Sequence, residues 1–185
     1  MRHNGWRPAS AVLLGGALLL SSGAPVWSAV TGSTKQSKSV AAPVFVGPPG
    51  WLYKGASNGL GVWTRQGDTN YSENIIVEAK DGFSSLDALL TAEVAYVRSL
   101  PDVVGSAPTD TSVCGDHPAK YLSYTYSSSS GLPITSEVVI AVFGTTAYSA
   151  RYNKAIGQDP DAAAERSLTS LCGRAAAHQA PRHTT

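Results

Sequence analysis

Hydrophobic positions recur with two different periods, and the switch between them divides the chain into elements. In PAKYLSYTY, Leu122, Tyr124 and Tyr126 fall on alternate positions. In TTAYSARYNK, Tyr148, Ala150 and Tyr152 do the same, with Arg151 and Asn153 turned the other way. A period of two is the spacing of a strand with one apolar face. TSEVVIAVFG is apolar at both parities: Val138, Ile140 and Val142 on one side, Val139, Ala141 and Phe143 on the other. Such a strand belongs in mid-sheet, covered on both faces. SSSSGLP before it reads as a hairpin loop. Further strands are predicted in GPPGWLYKG, GASNGLGVWT and YSENIIVEAK, with Asn58-Gly59 as a hairpin turn because both residues accept positive φ.

The period changes in SSLDALLTAEVAYVRSLP. Leu86, Leu89, Leu90, Val94 and Val97 recur at steps of three and four, which places them on one helical face. Ser84 or Ser85 can cap this helix, Asp87 and Arg98 suit its first and last turns, and Pro101 stops it. DPDAAAERSLTSLCG predicts a second helix. Asp159 is its expected N-cap, Pro160 its first residue and Gly173 its stop, with Ala164, Leu168, Leu171 and Cys172 on one face.

Strands, a long helix, more antiparallel strands and a final helix make an α+β layout. The expected architecture is an antiparallel sheet covered by helices on its faces. GWLYKG, the FSSLDALL helix start, PAKYLSYTY, TAYSARYNK and AAAERSLTSLC resemble the PsbP-like fold family, which includes exported bacterial proteins of the DcrB and LpqN kinds. The resemblance runs from Trp51 to Cys172 and implies an α/β/α sandwich. Its segments are fold-forming, none is a catalytic signature, and shared fold does not give shared function.

The first 28 residues read as a secretory signal peptide: basic Arg2 and Arg7, an apolar run from Ala11 to Leu20, then small residues at Ala24, Ser28 and Ala29. The apolar run is too short to cross a bilayer, which takes about 20 residues. No cysteine lies near the cleavage region for lipid attachment. The expected organisation is therefore a signal peptide over 1–28, a flexible linker over 29–43, one domain over 44–174 and a disordered tail over 175–185. The expected location is secreted or periplasmic, with no stable membrane span after signal removal.

The formal net charge is +1, and without Arg2 and Arg7 it becomes −1. No basic stripe remains to neutralise phosphates, so no nucleic-acid partner is expected.

Candidate chemistry concentrates in CGDH, where Cys114, Asp116 and His117 fall within four residues. As a zinc site it would need two more ligands, and Cys172, His178 and His183 are the other candidates. As a nucleophile it lacks any known signature around the thiol. As a structural cysteine it has a partner, because Cys114 and Cys172 are the only two in a chain read as exported. The expected bond Cys114–Cys172 closes a loop of ~59 residues and contributes roughly 4 kcal/mol on the chain-entropy model. Asp116 and His117 then take turn and rim roles.

Other constellations are weaker. Gly55, Gly59 and Gly61 lack the Lys-Ser/Thr of a phosphate loop. Glu73 and Glu78 are five apart in a strand and face opposite sides, unlike a glycosidase pair. Asp159 and Asp161 suit capping. Asn70-Tyr71-Ser72 is a glycosylation sequon, and no serine sits in a Gly-x-Ser-x-Gly elbow.

Tyrosine and tryptophan favour recognition surfaces when half exposed. Trp51, Trp63, Tyr124, Tyr126, Tyr148 and Tyr152 are the candidate binding surface. The expected function is a non-catalytic accessory or binding protein of the cell envelope or extracellular space. It is expected to be a monomer with no metal or cofactor, whose partner is a protein, a peptide or a small apolar ligand. The alternatives are a small-ligand or lipid carrier using an aromatic sheet face, and a Cys/His metal-binding or enzymatic protein.

Overall fold

The computed structural model of the protein describes residues 44–57, 60–68 and 73–173. The expected signal peptide, linker and tail lie outside the described residues, as do Asn58-Gly59, the Asn70-Tyr71-Ser72 sequon, His178 and His183.

The elements run β1 (Trp51–Ser57), β2 (Leu60–Arg65), β3 (Glu73–Asp81), α1 (Leu86–Arg98), β4 (Val104–Gly105), β5 (Thr109–Val113), β6 (His117–Ser127), β7 (Pro133–Phe143), β8 (Thr146–Ala155) and α2 (Ala162–Leu168). All strands among the described residues join one eight-stranded sheet in the order β1-β2-β3-β8-β7-β6, and the short β4 and β5 share the outer edge of β6. Every pairing is antiparallel. The doubly apolar β7 lies inside the sheet, with Val138, Val139, Ile140 and Ala141 all buried. Among the described residues no helix is long and apolar enough to cross a membrane.

Both sheet faces carry a core. On one, α1 brings Leu89 onto Leu122, Val138, Ile140 and Ala147. On the other, Ala164 and Leu168 of α2, with Leu171 just beyond it, pack on Ile75, Val77, Ala150 and Tyr152. Burying Leu89 or Leu168 contributes about 1.5–3 kcal/mol each. α1 begins as its sequence predicts: Ser85 Oγ accepts the Ala88 N–H at 3.1 Å, with Asp87 in the first turn and Arg98 in the last.

The expected sandwich of helix-covered faces does not form. The described residues are mostly antiparallel sheet, with 50% strand and 16% helix. The reason is dimensional. Helices of 13 and 7 residues span about 20 Å and about 10 Å. A sheet seven strands across measures about 34 Å. The helices pack chiefly on β6, β7 and β8.

The second helix is shorter than its periodicity predicts. Its N-cap is Asp161, not Asp159: Asp161 Oδ1 accepts the N–H groups of Ala163 and Ala164 at 2.8 and 3.3 Å. It ends at a Thr169 cap, so Cys172 lies past the helix rather than on its face. The strands β4 and β5 have no counterpart in the hydrophobic pattern, because VG is too short and TDTSV too polar to show one.

Candidate functional site

The six aromatic residues singled out by sequence do not share one surface. Register places Trp51, Trp63, Tyr148 and Tyr152 on the α2 face, and Tyr124 and Tyr126 on the α1 face. Trp51, Tyr124, Tyr148 and Tyr152 are buried, while Trp63 and Tyr126 are partly exposed.

Trp63 belongs to an aromatic patch at the β1 edge of the sheet. Its ring centroid lies 4.7 Å from that of Tyr53 and 4.9 Å from that of Phe45. Tyr53 is 52% exposed. Two glycines make room for the indole. A Cβ on Gly47 would come within 2.6 Å of Trp63 Cδ1 and Nε1, and one on Gly61 within 3.0 Å of Cζ3. A bulge brings Tyr53 to this place. Ser57 pairs with Leu60 and Gly55 with Val62, but Tyr53, not Lys54, pairs with Trp63. Gly55 takes a φ of +117°, which L side chains rarely adopt. The extra residue turns Tyr53 onto the face that Trp63 occupies.

The patch adjoins a closed polar cluster. Glu73, buried on β3, accepts from Arg65 Nε, from the Tyr152 hydroxyl and, at 3.0 Å, from Gln158 Nε2. Tyr152 Oη in turn accepts the Asp161 N–H at 3.1 Å. Asp161 Oδ2 accepts from Trp51 Nε1 and pairs with Arg65 Nη2, each at 3.1 Å. Burial, with Glu73 alongside, pushes the Tyr152 phenol well above its usual range. These titratable groups converge, but they satisfy one another. The arrangement is a brace that ties β1, β2, β3 and β8 to the start of α2.

Burial alone would raise the Asp161 carboxyl. The Trp51 indole, the Ala163 and Ala164 amides and the Arg65 charge outweigh it, and the carboxyl sits below its ordinary value. The unfolded chain therefore binds this proton more readily, and stability rises with pH through the acid range. The contribution is complete above the unfolded value of about 3.9 and is lost as pH falls through the lowered folded value. Melting temperatures taken from pH 5 down to pH 2 are expected to fall more steeply in the natural protein than in Asp161→Asn. Parallel curves would contradict this.

A second clamp lies on the α1 face. Arg151 Nη2 meets Glu93 Oε1 at 2.5 Å, and its guanidinium carbon lies 5.0 Å from the Tyr96 ring centre. Beside it, Ser136 donates to Asn153 and Asn153 to Asn74. Burial pushes the Tyr124 phenol well up.

The CGDH stretch resolves into structure. Cys114 is bonded to Cys172 with a Cα–Cα distance of 5.1 Å. It sits in the turn from β5 to β6 with φ +53°, followed by Gly115 at +91°. His117 stacks on Phe143 at 3.8 Å, and its Nε2 lies 2.8 Å from the Val142 carbonyl oxygen. Asp116 is exposed. Glu73 and Glu78 face opposite sides of β3, as their spacing predicts. Among the described residues no three His, Cys, Asp or Glu side chains converge as a metal site.

Phe45 and Tyr53 were not in the sequence-derived surface. Phe45 precedes the first strand, and Tyr53 joins Trp63 only through the bulge.

No family model and no curated relative matches the sequence. Among solved structures, the chain is similar to LpqN of Mycobacterium tuberculosis, described as involved in cell envelope biogenesis. The TM-score is 0.52 at 15% identity, over 75% of this chain and 88% of LpqN. A Pseudomonas aeruginosa protein of unknown function, PA94, aligns at TM-score 0.41 and 11% identity, over 45% of this chain and 59% of its own. A protein of Bacteroides thetaiotaomicron aligns at TM-score 0.47 and 13% identity, over 69% of this chain and 41% of its own. The chain thus spans less than two thirds of the length of these last two. The resemblance to the PsbP-like family narrows to a distant LpqN-like fold.

Proposed function

We propose that the protein is an exported, non-catalytic binding protein of the cell envelope, and that Phe45, Tyr53 and Trp63 form its working surface for a peptide or small apolar ligand. The observation that carries this reading is the patch itself. Three aromatic rings are gathered at a sheet edge, with one of them half exposed, and glycines hold the backbone against the indole. Rings presented on a rigid frame give contact area at low entropic cost. The disulfide supports an oxidising location. The envelope role described for LpqN supports the compartment. The mutual satisfaction of the Glu73 cluster supports a structural role for the titratable groups.

The test uses anilinonaphthalenesulfonate as an apolar probe on the full chain. Trp63→Ala and Tyr53→Ala are each expected to weaken probe binding about tenfold, equivalent to about 1.4 kcal/mol. Tyr126→Ala, on the opposite face, is expected to bind as the natural protein does. Equal binding by all three variants, each with a cooperative melt, would sink the reading.

A further inference from the structure

Residues 44–48 form a strap along the aromatic patch, and the strap is fastened at Cys172. Val44 and Cys172 exchange both backbone hydrogen bonds, each at 2.9 Å. The Val46 N–H donates to Ser170 Oγ at 3.0 Å, and Ser170 Oγ is 3.4 Å from the Val46 carbonyl oxygen. Between these ties Phe45 packs on the Trp63 ring, and just beyond them Gly47 lies against the indole. Segment 170–172 is in turn bonded through Cys172 to Cys114, in the β5–β6 turn. One covalent bond therefore holds the segment that holds the strap that covers part of Trp63.

We propose that Cys114–Cys172 is a redox latch on this surface, opened by a dithiol protein of the same compartment. The latch rests on reading the patch as the binding surface. Both cysteines are partly exposed, and Ser112, Gly115 and Asp116 around Cys114 are exposed, which places Cys114 in an open turn at the surface. A thiolate of the reductant attacks Cys114 Sγ, and the bond to Cys172 breaks. Cys172 leaves as a thiolate and takes up a proton. The reductant's second thiol then attacks the mixed disulfide and releases Cys114 as a thiol. Two electrons and two protons pass to the protein, and the reductant ends as a disulfide.

The opening is local. Asp161 fixes the start of α2 to Trp51 and Arg65, and Leu168 and Leu171 are buried. What reduction frees is Cys172 and its pairing with Val44, which leaves the strap held by the side-chain tie of Val46 to Ser170. A surface segment held by few backbone hydrogen bonds opens at a fraction of the global free energy. Freeing it withdraws Phe45 and Gly47 from the Trp63 ring and so takes one of the three rings out of the surface.

The test is residue-level amide exchange by NMR on the full chain, oxidised and reduced with dithiothreitol, with complete reduction confirmed by alkylation and intact mass. A Cys114→Ser/Cys172→Ser double variant gives the open state without reductant. Protection of the Val44, Val46 and Cys172 amides is expected to fall about tenfold or more. Protection across Val138 to Ala141 in β7 is expected to fall only in step with the global stability that urea unfolding of the same form reads. Unchanged protection at Val44 and Cys172 would overturn the latch, and so would strap and β7 amides that all lose protection by the one factor the global loss sets. Probe binding is read in parallel. Failure of both redox forms to bind the probe would fell the surface reading, whereas the exchange pattern scores the latch on its own.

Discussion

Replacing Glu93 with alanine is expected to destabilise the protein by about 3–5 kcal/mol, because it strands a buried positive charge. Glu93 lies on the inner face of α1 and is 1% exposed. Its carboxylate meets Arg151, which projects from β8, the strand in mid-sheet. Burial by itself would make the guanidinium easier to deprotonate. Tyr124, Glu93, Tyr96 and Glu78 around it outweigh burial and hold it charged. Without Glu93, the direct contacts of Arg151 among the described residues come down to a long one of 3.5 Å to the Tyr96 hydroxyl and the ring face. Glu93→Gln retains a hydrogen-bond acceptor and should cost less. Glu93→Leu combined with Arg151→Met removes both charges and should cost less than Glu93→Ala, since an apolar pair of similar volume needs no compensation. Urea unfolding with an unchanged slope is the measurement. A loss below about 1 kcal/mol for Glu93→Ala would show that water reaches Arg151 freely.

Removing the disulfide is expected to cost about 4 kcal/mol of global stability, from the chain entropy regained by the unfolded state. The cysteines are 58 residues apart, and their bond encloses β6, β7, β8 and α2. Domains of this kind have a margin of about 5–15 kcal/mol, so the double serine variant should fold but unfold at much lower denaturant. This global cost acts on the unfolded chain, whereas the latch acts within the folded one. The comparison is urea unfolding of the oxidised protein against Cys114→Ser/Cys172→Ser. Superimposable midpoints would mean that the bond constrains little that the polar brace and the cores do not already fix.

Much of the sheet was legible because its central strands write their environment into their sequence. Val138 to Phe143 are apolar at both parities, and β7 has a core on each side. The alternation in PAKYLSYTY and TTAYSARYNK put Tyr124 and Tyr152 on the faces they occupy. The capping signals at Ser85 and Asp87 were local, so they could be read locally. The second helix misled because Asp159-Pro160 offers a good start two residues before the start that wins. At Asp161 the cap also gains Trp51 and Arg65, contacts more than 95 residues distant that no local pattern carries. Helical cover was overestimated for the same reason, since periodicity through Leu171 and Cys172 implied a longer helix than the seven residues that form.

The candidate site was legible only in its residue types. Tryptophan and tyrosine flagged a surface, but four of the six residues named serve the interior. Trp63 joins the patch because a bulge opposes it to Tyr53, and a one-residue shift in a strand reverses every face beyond it. Gly55 with its positive φ was the one local sign of that shift, and it reads equally well as part of a turn. Phe45 was invisible as a partner because it belongs to no strand of the sheet and reaches Trp63 through the pairing of Val44 with Cys172.

If the Phe45–Tyr53–Trp63 patch binds ligand, an NMR titration of the full oxidised chain with anilinonaphthalenesulfonate, followed by amide and indole shifts, will map it. Saturable shifts concentrated at Phe45, Gly47, Tyr53 and the Trp63 indole N–H are the expected result. Shifts centred on Tyr124 and Tyr126, or spread evenly over both faces of the sheet, would contradict it.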